Sequence, residues 1–261
     1  MSWHTEQVAH GVTRLVYDRP PVNSMPFGEY DALRRTLQRL AVDDQLRVVI
    51  LRGAGTRAFI AGHDVDELRG LDEDTAAEGL ARARLAFNAL YDLPVPVIAV
   101  VNGPAVGTGF KIASLCDVRL ASSEAVFALP EIDVGVLGGA RHAMRIAPQG
   151  AARMMVYTGS RLTAEHARQL GIVDEVHPPD DLDAAAQGLA SVIAAKNPTA
   201  VRLAKRGMNR MESMSLQEAY EYECVLTAEL RRDPRARADA EDFLAGRTPI
   251  TVRPSVNHPE G

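Results

Sequence analysis

Two glycine-containing turns and one carboxylate carry the residue types best suited to chemistry in this chain. The turns are Ala61-Gly62-His63-Asp64 and Gly107-Thr108-Gly109, and Glu131 follows Pro130 after an apolar run. Each turn stands where a helix is expected to begin, so its backbone N–H groups are free to donate to an anion. Two such donors near a carboxylate suit a reaction in which an oxyanion develops while a proton is moved.

The second turn has a competing interpretation. Its glycine spacing differs from that of a dinucleotide-binding fingerprint, and it lacks the Gly-Lys-Ser or Gly-Lys-Thr of a P-loop. Gly107 and Gly109 let the backbone approach a neighbour closely, and that neighbour could be a ligand or another part of the fold. On this stretch alone, a closely packed turn that binds nothing is therefore an equally good interpretation.

The elements around the turns are strands that alternate with helices. Short β-branched runs at residues 47–51, 95–101 and 118–121 are typical of buried strands. After each run come a glycine turn, a second short strand and a helix. This strand-strand-helix unit recurs at residues 47–70, 97–116 and 118–147. Stacked units of this kind would place successive glycine turns near one another.

The last part of the chain has a different pattern. From Leu182 onward the periodicity is helical, and prolines follow in a tail from Gly246 that we expect to be extended. We therefore predict an α/β core over residues 1–195 and a C-terminal helical region over residues 196–261.

Several local predictions concern the first half of the chain. Residues 7–17 are predicted to form a hairpin around Gly11, and a helix is expected to extend to about Val42. Asp64 is interpreted as the N-cap of a short helix. Residues 125–131 are predicted to form a strand that places Glu131 at its end.

Composition limits the class of protein. The chain has 261 residues and a net charge of -5, which argues against nucleic acid as a partner because phosphate binding needs a basic face. Two distant cysteines, Cys116 and Cys224, suit a reducing compartment, and the seven histidines show no metal-binding spacing. No apolar run approaches membrane length and no signal pattern is present. We expect a cytoplasmic protein without a membrane or metal partner.

The order and spacing of many short motifs resemble the enoyl-CoA hydratase/isomerase (crotonase) superfamily over nearly the whole chain. The resemblance is carried by Arg19-Pro20, Asn23-Ser24-Met25, residues 47–53, 59–65 and 94–109, Cys116-Asp117, residues 127–132, Gly135, Thr158-Gly159, and residues 231–234 and 241–247. It implies a crotonase-like spiral of strand-strand-helix units. It also implies a helical C-terminal trimerisation region that assembles trimers or paired trimers and closes a neighbouring site.

The resemblance also implies the chemistry and the site. The substrate would be an acyl-CoA thioester, as in fatty acid metabolism, with coenzyme A as part of the substrate and no other cofactor. The N–H groups of His63 and Thr108 would hold the thioester oxygen, with the His63 imidazole incidental, and Glu131 would be the acid/base. The residues implied at the CoA are Val22, Ala61, His63, Asp64, Phe243 and Arg247.

Lys111 departs from the family pattern, because hydratases commonly carry a glutamate at this position. Hydration in the family uses two carboxylates that hold one water, whereas a single carboxylate suffices to move a double bond. We therefore expect isomerisation, or hydration by Glu131 alone. A decarboxylase, a C–C lyase and a non-catalytic acyl-CoA-binding protein are the alternatives. Lys111 could point to solvent, pair with Glu131 and weaken it as a base, or bind a carboxylate of the substrate.

Two smaller departures concern the walls of the site. Thr108 replaces a common glycine, which narrows the pocket while leaving the backbone N–H in place. Arg141-His142 replaces small residues. His142 is interpreted as a helix cap or a solvent-exposed side chain, and it is a weaker acid/base candidate than Glu131.

Overall fold

The structure is a computed structural model that describes residues 2–70 and 72–247. Its strands belong to two sheets, one larger than the other. The strands are β1 (Trp3–Ala9), β2 (Val12–Tyr17), β3 (Val48–Gly53), β4 (Val97–Val101), β5 (Ala105–Val106), β6 (Val118–Ser122), β7 (Val126–Ala128), β8 (Arg161–Thr163) and β9 (Glu175–His177).

Helices connect these strands and then occupy the C-terminal part of the described chain. They are α1 (Phe27–Ala41), α2 (Val65–Arg69), α3 (Glu73–Tyr91), α4 (Thr108–Leu115), α5 (Ala140–Ile146), α6 (Gln149–Thr158), α7 (Ala164–Gln169), α8 (Leu182–Ala194), α9 (Pro198–Met211), α10 (Leu216–Leu230) and α11 (Pro234–Leu244). A 3₁₀ helix, Pro130–Val134, lies between β7 and α5.

The larger sheet has six strands in the order β1-β2-β3-β4-β6-β9, and it is parallel from β2 onward. Side chains alternate between its faces because successive residues of a strand point in opposite directions. One face packs against α8. The opposite face forms the main core, to which Val49, Leu51 and Ala99 belong. Because both faces are covered at the centre of the sheet, β3 and β4 are almost uninterrupted apolar runs.

The smaller sheet, in the order β5-β7-β8, holds the second strand of two of the units. In two successive units a strand of the larger sheet (β4 or β6) is followed by a strand of the smaller sheet (β5 or β7) and then by a helix. The bridge between Ile60 and Ala105 continues the arrangement into the preceding unit. The predicted α/β spiral of strand-strand-helix units is confirmed.

Local predictions agree with the structure at most elements and fail at three. The hairpin and the first helix are confirmed. The strand expected over residues 125–131 ends at Ala128, because Pro130 begins the 3₁₀ helix and places Glu131 on it. Ile60 makes only an isolated bridge where a short strand was expected. β8 was not predicted.

The C-terminal helices follow the spiral, as predicted. α9 is fixed to the core by Lys205, whose buried ammonium lies 2.8 Å from Asp117 and donates to the Val95 carbonyl at 2.9 Å. The domain boundary at residue 195 and the role of these helices in assembly stay predictions. Most of the predicted extended tail, residues 248–261, lies outside the described residues.

Two features are absent from the described residues. No helix there is both long enough and apolar enough to span a membrane. No group of three or more His, Cys, Asp or Glu side chains in the same residues is placed to hold a metal ion.

Candidate active site

A largely apolar cavity of about 740 Å³ opens beside the two glycine turns. One wall is a single face of α3, where Ala76, Leu80, Ala83 and Phe87 follow one another at helical spacing. The other lining residues are Phe27, Tyr30, Ala61, Gly62, His63, Asp72, Val106, Gly107, Thr108, Lys111, Pro130, Glu131, Val134, Gly135, Val136 and Leu137. Asp72 thus places a carboxylate at the border of the cavity.

The two turns are pressed together, and glycine makes this possible. A Cβ on Gly109 would stand 2.1 Å from the Ile60 carbonyl oxygen, and a Cβ on Gly107 would stand 3.8 Å from the Gly62 Cα. Gly107 has φ 53° and ψ -108°, a backbone conformation that side chains strongly disfavour. The expectation that the turns lie near one another is therefore correct.

The predicted oxyanion donors lie on these adjacent turns. Thr108 is the first residue of α4, where an N–H has no partner within its helix. Neither this N–H nor that of His63 donates a hydrogen bond to the described part of the chain. Both remain available to a ligand oxygen, and the positive end of α4 favours negative charge there.

Lys111 and Glu131 form an ion pair inside the cavity. Lys111 Nζ lies 2.9 Å from Glu131 Oε1, and the two side chains are only 16% and 13% exposed. Neither carboxylate oxygen of Glu131 has a partner in hydrogen-bond geometry within the described residues, so its contact with Lys111 is an ion pair and Oε2 has no contact of this kind. The structure thus excludes the solvent-facing alternative for Lys111 and places its ammonium against Glu131. Whether Lys111 also binds a negatively charged group of the substrate stays a prediction.

The carboxylate of Glu131 is placed directly over the second turn. Its Oε1 would lie 3.3 Å from a Cβ on Gly107. Gly138 makes room for the other half of the pair, because a Cβ there would stand 2.8 Å from Lys111 Nζ. Three of the four residues predicted as catalytic, namely Thr108, Lys111 and Glu131, therefore converge on one point, and His63 is on the adjoining turn.

Tyr30 is a site residue that the sequence analysis missed. Its hydroxyl lies 2.9 Å from Thr108 Oγ1, and burial raises the pKa of Tyr30 to about 12. Its spacing to Leu33 and Leu37 places it on the apolar face of α1, so from sequence it is indistinguishable from a core residue. The signal that could have revealed it is its hydroxyl, which must find a partner when buried.

Both histidines near the site are neutral at neutral pH. Burial lowers the pKa of His63, although Glu67 Oε2 lies 3.2 Å from its Nε2 and opposes the shift. Burial, followed by the Lys111 charge, lowers the pKa of His142 to about 4. The His142 ring packs edge-on against Phe87, with centroids 5.5 Å apart, so its interpretation as a cap or a solvent-exposed side chain is wrong.

Four of the residues implied at the CoA come together at one edge of the cavity. Ala61 and His63 line it, and the Ala61 N–H donates to the Val22 carbonyl at 3.2 Å. Asp64 accepts from the Asp66 N–H at 3.1 Å, which supports its interpretation as a cap. Its other oxygen pairs with Arg19 at 2.9 Å.

The other two, Phe243 and Arg247, do not line the cavity of this chain. Phe243 is 62% exposed on α11, and Arg247 lies 2.7 Å from Asp242. Their predicted contact with CoA stays a prediction.

Comparison with known proteins agrees with this geometry. The family model for enoyl-CoA hydratase/isomerase matches residues 7–249, and the chain belongs to this family. A Rhodococcus jostii relative is 38% identical over 84% of this chain and 85% of its own length. It is named (7aS)-7a-methyl-1,5-dioxo-2,3,5,6,7,7a-hexahydro-1H-indene-carboxyl-CoA hydrolase.

Two further similarities extend the comparison. The putative enoyl-CoA hydratase/isomerase YngF of Bacillus subtilis is 39% identical over 68% of this chain and 70% of its own. The crystal structure of an enoyl-CoA hydratase from Bacillus anthracis superposes with a TM-score of 0.91, at 29% identity, over 96% of this chain and 98% of that one. The crotonase fold and an acyl-CoA thioester substrate follow from family membership.

Proposed function

We propose that this protein moves the double bond of an enoyl-CoA by forming a thioester enolate, with Glu131 as its only carboxylate acid/base. The observation that carries this proposal is the ion pair of Lys111 and Glu131, 2.9 Å apart inside the cavity. An ammonium thus occupies the position at which hydratases commonly hold their second carboxylate. Coenzyme A enters as part of the substrate, and no other cofactor is invoked.

In the proposed reaction each group has one task. The thioester oxygen accepts from the N–H groups of His63 and Thr108, while Glu131 Oε2 takes a proton from C2 of a β,γ-enoyl thioester. The electron pair moves toward the thioester oxygen, where the two donors stabilise the charge. The same carboxyl group then returns the proton at C4, which completes the isomerisation.

Hydration is the alternative within the same site. It requires a water that is held and deprotonated while a second proton is delivered, a task for two carboxylates in the family. The Lys111 ammonium already occupies Glu131 Oε1. Hydration would therefore depend on Oε2 alone, and we expect it to be the slower reaction.

The proposal is tested with a panel of α,β- and β,γ-enoyl-CoA esters, analysed by mass spectrometry. An isobaric product is expected, and a gain of one water as the main outcome would refute isomerisation. Glu131→Gln should lower turnover by about 10²–10⁴-fold. Asp133→Asn is the matched control, because Asp133 lies on the same 3₁₀ helix but is exposed. Full activity of Glu131→Gln would remove this residue from the mechanism.

A second candidate, the hydrolytic cleavage of a 3-oxoacyl-CoA, is favoured by the Lys111 charge. No other cationic side chain of the described residues lines the cavity, and its ammonium is well placed to pair with an oxyanion at C3. The Rhodococcus jostii relative is named as a hydrolase of a dioxo carboxyl-CoA, which also supports hydrolytic cleavage as the second candidate.

The second reaction consumes one water molecule and needs no other co-reactant. Glu131 takes a proton from water, the hydroxide adds to the C3 carbonyl, and the C2–C3 bond breaks. Its electron pair enters the thioester enolate, and Glu131 returns the proton to C2. The products are a carboxylic acid and a shortened acyl-CoA. Reaction in water labelled with oxygen-18 should label the new acid, and Lys111→Met should abolish the cleavage while leaving isomerisation measurable. Lack of cleavage in the unmodified protein would exclude this candidate.

We also propose that the chain assembles as trimers, alone or in pairs, through its C-terminal helices. The exposed apolar side chains there support this: Leu216 is 82%, Tyr220 67% and Leu244 84% exposed. In such an assembly Phe243 and Arg247 would reach the CoA of a neighbouring copy. Light scattering of the purified protein distinguishes a trimer or hexamer from a monomer, and a monomer at all concentrations would contradict the proposal.

A further inference from the structure

We propose that Tyr30 is a positioning residue that holds the two halves of the oxyanion hole in register from a third element, α1. This inference rests on the proposed role of the His63 and Thr108 N–H groups. These two donors come from turns separated by more than forty residues in the sequence. Tyr30 contacts the side chains of both residues.

The first contact is the hydrogen bond between the hydroxyl groups of Tyr30 and Thr108, with 2.9 Å between the oxygens. Both residues are only 3% exposed, so water does not compete for either hydroxyl. Thr108 is the first residue of α4, and its own N–H is the proposed donor. A buried bond at the side chain therefore limits the rotation of the residue that carries that N–H.

The second contact is with the imidazole of His63. The rings of Tyr30 and His63 are nearly parallel, 9° apart in orientation, with centroids separated by 6.2 Å. Phe27 packs against the same imidazole at 4.2 Å. Because burial lowers the pKa of His63, the ring is neutral and packs as an aromatic group. The His63 side chain thus anchors its backbone, so the imidazole has a positioning role in place of the incidental one expected from the sequence.

α1 is a rigid support for these contacts. Leu33 and Leu37 on the same face are 0% and 1% exposed, which fixes the helix against the core. A glycine at position 108 would offer Tyr30 no hydroxyl. The threonine therefore adds a connection from α1 to α4 that a glycine backbone alone lacks.

The test measures the donors directly, by infrared spectroscopy of butyryl-CoA with a carbon-13 label at its carbonyl. Hydrogen bonds from the two N–H groups weaken the carbonyl bond, so binding to the unmodified protein should lower the stretching frequency. In Tyr30→Phe this shift should be smaller. Turnover should fall about 10-fold with KM little changed, less than the 10²-fold or more that loss of a donor costs.

A double-mutant cycle separates positioning from a merely structural role. Thr108→Val keeps the N–H and the shape but removes the hydroxyl. Each single variant leaves one buried hydroxyl unpaired and should lower the melting temperature, whereas the double variant removes both hydroxyls and should recover stability. Turnover of the double variant should stay as low as that of the single variants. Recovery of turnover together with stability would show that the bond serves folding only.

The control is Tyr91→Phe. The Tyr91 hydroxyl also donates a partly buried hydrogen bond, to the Asn209 carbonyl at 2.8 Å, but Tyr91 lines no part of the cavity. This variant should leave both the carbonyl frequency and turnover unchanged. If the unmodified protein does not lower the frequency, the oxyanion hole itself is wrong and the proposed function fails. If it does so and Tyr30→Phe lowers it equally, only the role of Tyr30 is refuted.

Discussion

Gly109→Ala tests how closely the two turns must approach. The new Cβ would stand 2.1 Å from the Ile60 carbonyl oxygen and 3.0 Å from its carbon. Nonbonded contacts of this type settle at about 3.5 Å, so α4 and the segment before Gly62 must separate by about 1.4 Å. Backbone atoms on both sides of the contact prevent relief by a rotamer change. The Thr108 donor moves with α4, away from His63.

A displacement of about 1 Å at a catalytic group can cost 10²-fold in rate. We therefore expect turnover by Gly109→Ala to fall about 10²-fold, with a loss of about 1–3 kcal/mol in the free energy of unfolding. Steady-state kinetics on the best ester of the panel and urea denaturation measure the two effects. A folded variant with unchanged turnover would refute the close approach of the turns as a requirement.

The matched control adds the same methyl group to a helix with open space around it. Gly188 lies within α8, and a Cβ there meets no atom within 4 Å. Gly188→Ala should leave turnover unchanged and stabilise the fold by about 0.5–1 kcal/mol, since alanine is the better helix former.

Two further predictions concern stability. Lys205→Met removes the buried ammonium 2.8 Å from Asp117. It should lower the free energy of unfolding, measured by urea denaturation, by about 3 kcal/mol. An unchanged value would contradict a stabilising role of this ion pair. For His142, the folded pKa of about 4 lies below the ordinary value of 6.5. The neutral ring therefore contributes stability above pH 6.5 that is lost as the pH falls toward 4. Between pH 7 and 4.5 this loss should be about 2.5 kcal/mol, and it should be absent in His142→Asn.

The sequence predicts the fold well because the signals that specify it are local. β-branched runs, glycine turns and helical periodicity identify the units, and each element is stabilised by burial of the face that its own pattern defines. Predictions fail where one residue or a very short segment determines the local structure. Pro130 replaces a strand end with a 3₁₀ turn, and β8 has only three residues, too few to show a period.

The sequence also determines which groups the site contains. Gly107 and Gly109 predict a close backbone approach, and Glu131 after Pro130 predicts a carboxylate nearby. These inferences need only residue types and order, since the spiral brings equivalent positions of successive units together. Membership of the enoyl-CoA hydratase/isomerase family then gives them a chemical meaning.

Only the tertiary structure decided which of these groups touch. Lys111 could have faced solvent, substrate or Glu131, and its placement 2.9 Å from Glu131 depends on packing between α4 and the 3₁₀ helix. Tyr30 has the spacing of a core residue, and its contact with Thr108 joins residues 78 apart in sequence. Helical spacing specifies the face on which a side chain lies. The partner across that face is set by the packing of distant segments, which no local pattern encodes.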